Sequence, residues 1–349
     1  MNQLATAANL SAISSEHRLD DLLSEPPPAV VETMGRLTGD LIVLGVAGKM
    51  GPSLARMAKR ASDAAGVRRR VIGVSRFSAG DEAELGAHGV ETVRCDLLAD
   101  GALARLPDAA NVLYLAARKF GSTGDEATTW AINSHLPGTV CRRYRGRRIV
   151  ALSTGNVYRL VPADGGGSRE DDPPEPVGEY AMSCLGRERV FEFFSRTDGT
   201  PVALIRLFYA CDLRYGVLVD VARRVLAGEP VDLTTGYFNT IWQGDANAMI
   251  LQAFDRVASP PWVVNVSGPE RLAVRDVATR FGTLLGRPVR FTGTESETAL
   301  LSNPERRRAT LGTPRVTADE LIEWVGAWVG RGGRCLGKPT HFEARDGRY

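Results

Sequence analysis

Short apolar runs alternate with longer amphipathic segments from residue 40 onward. The predicted strands are Leu41–Leu44, Val71–Val74, Glu91–Arg94, Asn111–Leu115, Arg148–Leu152 and Val202–Leu207. Pro52–Arg60 has the spacing of a helix, and the stretches between the first two and the last two runs are long enough for crossover helices. This alternation predicts a doubly wound parallel α/β sheet with helices on both faces.

Residues 1–38 precede this pattern and form an N-terminal extension. A polar helix is predicted to begin near Ser14–Ser15 and to end at Pro26–Pro28, because proline interrupts a helix. Its apolar side carries Leu19, Leu22 and Leu23. We expect this helix to pack against the body of the protein or against a neighbouring subunit.

The remaining chain divides into a core, a smaller lobe and a tail. Residues 39–210 form the core, and residues 211–330 mainly form a smaller C-terminal lobe, with some chain returning to the core. Late helices are predicted at Val274–Leu285 and Ala318–Val329. Residues 331–349 are glycine-rich and polar, which predicts a solvated arm or tail.

Composition and charge narrow the classes of function. Of 349 residues, 44% are hydrophobic and 24% charged, as in ordinary globular proteins. The net charge of +2 favours neither nucleic acid nor an anionic membrane as a partner. No apolar window reaches the roughly 18 to 20 residues that span a bilayer, and no secretory signal is apparent. These features predict a cytoplasmic soluble protein.

The cysteines predict neither disulfides nor a metal site. They are scattered through the chain at Cys95, Cys141, Cys184, Cys211 and Cys335. They form no Cys-x-x-Cys or Cys/His spacing, so we expect reduced thiols and no bound metal.

A glycine-rich loop lies between the first strand and the first core helix. Gly45, Gly48 and Gly51 recur at three-residue spacing around Lys49 and Met50. Such glycines permit a tight turn, a close approach of backbone N–H groups to a diphosphate, and close packing of helix on sheet. A phosphate-loop NTPase is disfavoured because Met50, not Ser or Thr, follows the lysine. The loop therefore predicts an NAD or NADP site.

The end of the second strand bears on the choice between NAD and NADP. An acid at this place would bind the 2′-hydroxyl of the ribose, but Arg76 stands there and the next carboxylate is Asp81. Arg76 can pair with a 2′-phosphate, which slightly favours NADP. The alternative is that Arg76 is a solvated loop residue.

Further segments, in order along residues 40–330, resemble the extended short-chain dehydrogenase/reductase family, also called the NAD-dependent epimerase/dehydratase family. The similar segments are Gly45–Gly51, Cys95–Leu97, Leu115–Ala117, Ile132–Thr139, Leu152–Tyr158, Tyr180–Glu188, Trp242–Ala246, Val264–Gly268, Pro304–Gly312 and Thr317–Trp328. The resemblance implies a Rossmann-like NAD(P)-binding core, a homodimer, and a reaction on a carbohydrate-like alcohol or ketone.

The resemblance also implies roles for individual residues. Ser153 and Tyr180 would be catalytic, with Tyr180 passing a proton while hydride moves to or from the nicotinamide. The cofactor would be held by Gly45, Gly48, Lys49, Met50, Gly51, Arg76, Asp96, Leu97, Ala116, Ala117, Asn133 and Tyr180. The substrate would be bound by Lys119, Thr154, Asn156, Tyr209 and Arg214.

The tyrosine helix departs from the family at one position. The family has Tyr-x-x-x-Lys, and here Cys184 occupies the lysine position. That lysine holds the nicotinamide ribose and lowers the pKa of the tyrosine, so Tyr180 lacks its usual activation. Arg187, seven residues after Tyr180, can lie on the same side of the helix and supply a positive charge.

A second departure concerns the substrate. Tyr209 takes the place of an asparagine found in members that act on nucleotide sugars, and Phe238 or Asn239 replaces a later basic residue. Both changes favour a smaller substrate, such as a free sugar, a polyol or a sugar acid. Two alternatives remain: a catalytically silent NAD(P)-binding sensor or scaffold protein, and an enzyme with a tightly bound cofactor that undergoes an internal redox cycle.

Overall fold

The computed structural model of the chain describes residues 13, 15–78 and 82–348. Ser14, near which the first helix is predicted to begin, and Asp81, the first carboxylate after Arg76, lie outside the described residues.

Strands and helices follow one another in the order that the pattern of apolar runs predicts. The strands are β1 Leu41–Leu44, β2 Val71–Ser75, β3 Glu91–Arg94, β4 Asn111–Tyr114, β5 Arg148–Thr154, β6 Val161–Pro162, β7 Val202–Leu207, β8 Tyr209–Cys211, β9 Val231–Asp232, β10 Tyr237–Phe238, β11 Thr240–Trp242, β12 Trp262–Val266, β13 Leu272–Ala273, β14 Phe291–Thr292 and β15 Thr298–Ala299. The α-helices are α1 Glu16–Leu23, α2 Pro28–Arg36, α3 Gly51–Ala64, α4 Glu82–Ala87, α5 Glu126–Trp130, α6 Leu136–Arg143, α7 Gly178–Asp198, α8 Val217–Ala227, α9 Gln243–Gln252, α10 Val274–Leu285, α11 Glu305–Leu311 and α12 Ala318–Gly330.

Seven parallel strands form the central sheet in the order β12-β7-β5-β4-β1-β2-β3. Both faces are buried, which explains why β1 is apolar at every position. Leu41 and Val43 pack into the core on one face, whereas Ile42 and Leu44 pack into the core on the other. The Rossmann-like prediction is confirmed. The six predicted strands all belong to this sheet, and β12 joins as a seventh after the smaller lobe has begun.

Two helices precede the sheet. The Ser15 hydroxyl accepts a hydrogen bond from the backbone N–H of Arg18 and caps α1, which buries Leu19 and Leu23 against the body as expected. After α1 the chain leaves helical structure over residues 24–27, as the prolines predict, and Pro28 then begins a second helix, α2. Proline suits the first position of a helix, where its missing N–H has no partner to lose.

The smaller lobe has an apolar core of its own. Helices α8, α10 and α12 supply most of its buried side chains, among them Val221, Phe281 and Trp324. Since this core is separate from the two cores of the sheet, the cleft between sheet and lobe is bounded by two independently packed bodies.

The C-terminal segment packs onto the protein at residues 340–345, so the expected solvated tail is wrong there, whereas most of residues 331–339 are exposed. Thr340 and Phe342 are only 3% and 6% exposed, and the ring of Phe342 lies 6.2 Å from that of Phe238. Burial of this apolar ring contributes to holding the segment against the lobe.

Within the described residues, none of the helices combines the length and the apolarity that crossing a membrane requires.

Candidate active site

A cavity of about 260 Å³ opens at the carboxyl ends of β1, β4, β5 and β7, between the sheet and the smaller lobe. This edge is where open α/β sheets bind ligands. Its lining includes Met50 after β1, Leu115 after β4, Ser153 and Thr154 on β5, and Leu207 on β7. The cavity therefore collects residues from four separate strand ends.

The glycine loop has the shape that a dinucleotide needs. Gly45 has φ +88°, and a Cβ there would lie 2.8 Å from the backbone N of Ala116. A Cβ on Gly51, where α3 begins, would collide with the carbonyl oxygen of Val46. Among the described residues, the backbone N–H groups of Lys49 and Met50 have no hydrogen-bond acceptor. Open N–H groups at the start of a helix fit a diphosphate.

The other predicted cofactor residues are spread along the strand ends. Arg76 is exposed where β2 ends, and Asp96 is exposed after β3. Leu97 and Ala116 are half-buried against the core, whereas Ala117 lines the cavity. These positions leave Arg76 accessible to a ligand.

Tyr180, Cys184 and Arg187 lie on one side of α7, as spacings of four and seven residues require. The phenol is buried and hydrogen-bonded to Thr154 and Cys184. Burial raises the pKa of Tyr180 well above its usual value of 10, and the nearby charge of Arg187 opposes that rise. Burial likewise raises the pKa of the Cys184 thiol. At neutral pH both groups are protonated.

Arg187 is a buried cation on α7, and its guanidinium is held in place. Nη1 donates to the carbonyl of Leu152 at 2.8 Å, and Nη2 donates to Oδ1 of Asn133 at 2.8 Å. Two charge-assisted bonds in a buried site fix its orientation. Tyr180 and Arg187 line the same cavity, as the spacing of seven residues on α7 predicts.

Asn133 lies in a π-helical turn, Ala131–His135, between α5 and α6. Its Nδ2 donates to the carbonyl of Arg118 and to the hydroxyl of Ser183, both at 2.9 Å. Its Oδ1 accepts from Arg187 and from the backbone N–H of Arg118. Asn133 therefore links the loop after β4 to α7 instead of making the predicted contact with the cofactor. Its side-chain amide has no hydrogen-bond donor or acceptor left for a ligand.

Ser153 is turned toward a carboxylate that the sequence analysis missed. Its hydroxyl donates to Glu188 at 2.5 Å, and Glu188 forms a buried ion pair with Arg206 at 2.8 Å. Ser153 and Arg206 are paired in register on β5 and β7. The sequence does carry a signal for this carboxylate, namely the arginine inside the apolar strand Val202–Leu207. A buried charge requires a partner of opposite charge.

Four of the five predicted substrate residues line the cavity: Lys119, Thr154, Asn156 and Tyr209. Arg214 does not, so its predicted substrate contact is wrong. Its guanidinium pairs with Asp20 of α1 at 2.7 Å and with Asp212 at 3.1 Å. These carboxylates use its charge to attach the N-terminal extension to the lobe.

Two of the four lysines in the chain face the cavity. Lys49 lies against the ring of Tyr215, and Lys119 lies 5.8 Å from the ring centre of Tyr180 and donates to the carbonyl of Thr340. Desolvation within the cleft lowers the pKa of Lys49 to about 7 and that of Lys119 to about 8. The lining residues Tyr215 and Thr340 carry no local pattern that predicts a site.

All five cysteines are free thiols. Within residues 13, 15–78 and 82–348, no group of three His, Cys, Asp or Glu side chains could hold a metal ion.

Solved structures resemble this fold along nearly their whole length. They include UDP-glucuronic acid 4-epimerase from Bacillus cereus in complex with NAD (TM-score 0.70, 18% identity, 84% of this chain and 97% of that one). UDP-glucose 4-epimerase from Thermus thermophilus in complex with NAD has TM-score 0.67 and 22% identity, covering 84% and 99%. A short-chain dehydrogenase/reductase superfamily protein from Agrobacterium tumefaciens with bound NAD has TM-score 0.68 and 21% identity, covering 84% and 97%.

Sequence comparison gives the family. No curated protein is similar enough to this sequence to count as a match. The model of the NAD dependent epimerase/dehydratase family matches residues 41–243, which comprise more than half of the chain and contain the glycine loop, Tyr180 and β7. The chain belongs to the NAD dependent epimerase/dehydratase family, a family of nicotinamide-dependent enzymes.

Proposed function

We propose that this protein is an NAD(P)-dependent oxidoreductase, epimerase or dehydratase that acts on a carbohydrate-like alcohol or ketone. The observation that carries the proposal is the pair Tyr180–Thr154, which shares one cavity with the end of the glycine loop. A bound nicotinamide would supply a hydride acceptor or donor. Gly45, Gly48 and Gly51 would admit its diphosphate, with Met50 beside it.

Tyr180 is the proton-transferring group in this proposal. Because burial keeps the phenol protonated, it is prepared to act as a general acid toward a carbonyl or hydroxyl oxygen. Arg187 stabilises the phenolate that remains, in place of the lysine that Cys184 has replaced. The hydroxyl of Thr154 contacts Tyr180. We assign to Thr154 the catalytic role expected of Ser153, because the hydroxyl of Ser153 donates its hydrogen bond to Glu188.

A small substrate fits this cavity better than a nucleotide sugar. The structural neighbours include enzymes crystallised with UDP-sugars. Here the C-terminal segment places Thr340 in the cavity, and Phe342 and Arg345 line the adjoining groove together with Tyr209. Tyr209 also replaces the asparagine of nucleotide-sugar enzymes. We therefore propose a free sugar, a polyol or a sugar acid as substrate.

A homodimer in the cytoplasm is the proposed assembly. Trp130 on α5 and Met182 and Phe193 on α7 are large apolar side chains that remain exposed, Phe193 at 59%. The two on α7 are eleven residues apart, which is three helical turns, so they share a face. Substituting Phe193→Glu should convert a dimer to a monomer in light scattering, whereas a wild-type protein that is already monomeric contradicts the assembly.

Calorimetry with NAD+, NADP+, NADH and NADPH tests the cofactor. We expect wild type to bind a dinucleotide at micromolar strength or better, with the phosphorylated forms favoured by Arg76. Arg76→Ala should then remove the preference for NADP while leaving NAD binding unchanged. Absence of binding to both wild type and Cys184→Lys would overturn the cofactor proposal.

A silent NAD(P)-binding sensor is the second candidate, because Cys184 replaces the usual lysine and the hydroxyl of Ser153 is bonded to Glu188. Measuring turnover separates an enzyme from such a sensor. We expect Tyr180→Phe and Thr154→Ala to reduce the rate by about 10² to 10⁴, the usual worth of a general acid. Product analysis with isotopically labelled sugars must accompany absorbance, because an internal redox cycle leaves no net change in NADH. Dinucleotide binding without any product from a panel of sugars and polyols would favour the sensor.

A further inference from the structure

The cavity wall carries positive charge and no carboxylate among the described residues. Its charged side chains are Lys49 from the glycine loop, Lys119 from the loop after β4 and Arg187 from α7. The guanidinium of Arg187 is committed to Leu152 and Asn133. The two lysines therefore supply the cationic charge that faces a ligand.

Both lysines lie beside the ring of Phe120. Nζ of Lys49 lies 5.8 Å and Nζ of Lys119 lies 5.5 Å from the ring centre of Phe120. Desolvation is the main cause of the lowered pKa of Lys49, and the charge of Lys119 lowers it further. Lys338 adds further repulsion. An anion placed beside both would relieve this repulsion and return both amines to full charge.

The carboxylates that attract these lysines lie outside the cavity and have other partners. They are Asp212 and Asp220 for Lys49, and Glu343 for Lys119. Their hydrogen-bonded or ion-paired partners are Arg214 for Asp212, Thr340 for Asp220 and Arg224 for Glu343. None of the three carboxylates lines the cavity, so the charge that its wall presents to a ligand is positive.

We propose that Lys49 and Lys119 form an anion subsite beside the reaction centre, and that the substrate is a small carbohydrate with an anionic oxygen group. This group is the carboxylate of a sugar acid or the phosphate of a sugar ester. The inference rests on the proposed function and specifies its substrate class. Asn156, Tyr209 and Gln243 line the same cavity and offer polar partners for the hydroxyl groups of such a molecule.

The small number of lysines makes the subsite directly observable. With lysine labelled by ¹³C at Cε, the resonances of Lys49 and Lys119 can be assigned from Lys49→Met and Lys119→Met and titrated with pH. We expect glucuronate, gluconate or glucose 6-phosphate to raise the apparent pKa of both resonances by about one unit or more, a tenfold preference for the charged amines. Glucose, which is neutral, should leave both unchanged, and Lys59, paired with Asp63 on the outside of α3, is the internal control.

Calorimetry on the same variants separates substrate from cofactor. We expect Lys119→Met to weaken binding of the responding anionic sugar at least tenfold, while Lys59→Met has no effect and dinucleotide affinity stays within threefold. If none of the three anions moves either resonance, the subsite does not exist. The proposal is overturned if the lysine variants lose dinucleotide binding but still bind the anionic sugar more tightly than glucose. The lysines would then serve the diphosphate of the cofactor. Absence of dinucleotide binding to wild type would instead refute the proposed function, and the titration decides the subsite independently.

Discussion

Cys184 lies one helical turn after Tyr180 and is fully buried, so the place of the usual lysine holds a neutral side chain at neutral pH. Positive charge reaches the site from two other positions. Arg187 comes from the next part of α7, and Lys119 comes from the loop after β4. Burial raises the pKa of Tyr180 despite the nearby charge of Arg187, so the phenol is protonated, and we therefore propose proton donation rather than a resting phenolate.

The lowered pKa of Lys119 has a consequence for stability. In the unfolded chain its amine titrates near 10.4, and in the folded protein it titrates at about 8. Between these values the unfolded state binds more protons, so wild type should gain free energy of unfolding relative to Lys119→Met as pH rises from about 8 to about 10. Urea unfolding of both proteins at several pH values measures this difference. A constant difference across that window would contradict the lowered pKa, and Lys59→Met, which removes a half-buried lysine paired with Asp63, serves as the control.

Gly51 illustrates a position at which no side chain is tolerated. In Gly51→Ala the new Cβ would collide with the carbonyl of Val46, so the loop and the start of α3 must move apart. We expect a loss of about 2 kcal/mol in unfolding free energy, together with loss of dinucleotide binding. Gly86→Ala in α4 is the matched control, since its Cβ would meet nothing within 4 Å and should stabilise by about 0.5 to 1 kcal/mol. Unchanged dinucleotide binding in Gly51→Ala would contradict the role of the loop.

Three elements are connected beneath the cavity by one buried polar network. Ser153 of β5, Glu188 of α7 and Arg206 of β7 are 7%, 3% and 5% exposed, and Tyr158 also accepts a hydrogen bond from Arg206. The network fixes α7 against the sheet, which in turn sets the position of Tyr180. The identity and spacing of β5, α7 and β7 could be predicted from periodicity, but their connection through Glu188 could not.

Neutralising Glu188 should be costly because it leaves Arg206 as an unpaired buried charge. We expect Glu188→Gln to lower the free energy of unfolding by about 3 to 5 kcal/mol, measured by urea denaturation. Glu192→Gln, one turn further along α7, removes a partly exposed carboxylate paired with the exposed Arg189 and Arg196 and should cost about 1 kcal/mol or less. Equal losses in the two variants would show that the buried pair contributes nothing beyond a surface pair.

At the scale of the whole molecule, helix α1 and the C-terminal segment each link different parts of the fold. The N-terminal helix α1 is attached to the lobe through Asp20 and Arg214, and it packs against α3 and α9 of the core. The C-terminal segment crosses from the lobe to the start of α7, where Gly347 contacts Gly178. Both segments therefore restrain the two bodies that bound the cavity.

Phe342 is the main apolar anchor of the C-terminal segment. Phe342→Ala should cost about 3 to 5 kcal/mol in unfolding free energy, and it should expose the last residues to proteolysis before the rest of the chain. Leu284→Ala, which truncates an apolar side chain 46% exposed, should change stability by about 0.5 kcal/mol or less. A tail that is cleaved equally fast in wild type and Phe342→Ala would mean that the ring does not hold it.

The parallel sheet, the loop Gly45–Gly51 and the place of Tyr180 follow from the amino-acid sequence, because each depends on a period or a spacing within a few neighbouring residues. The composition of the site does not follow in this way. Ser153 meets Glu188, and Lys119 meets Thr340, across separations of 35 and 221 residues. Such contacts carry no local pattern, since they arise only when independently predictable strands and helices pack around a common core. The chemistry of the cavity is therefore a property of the folded chain.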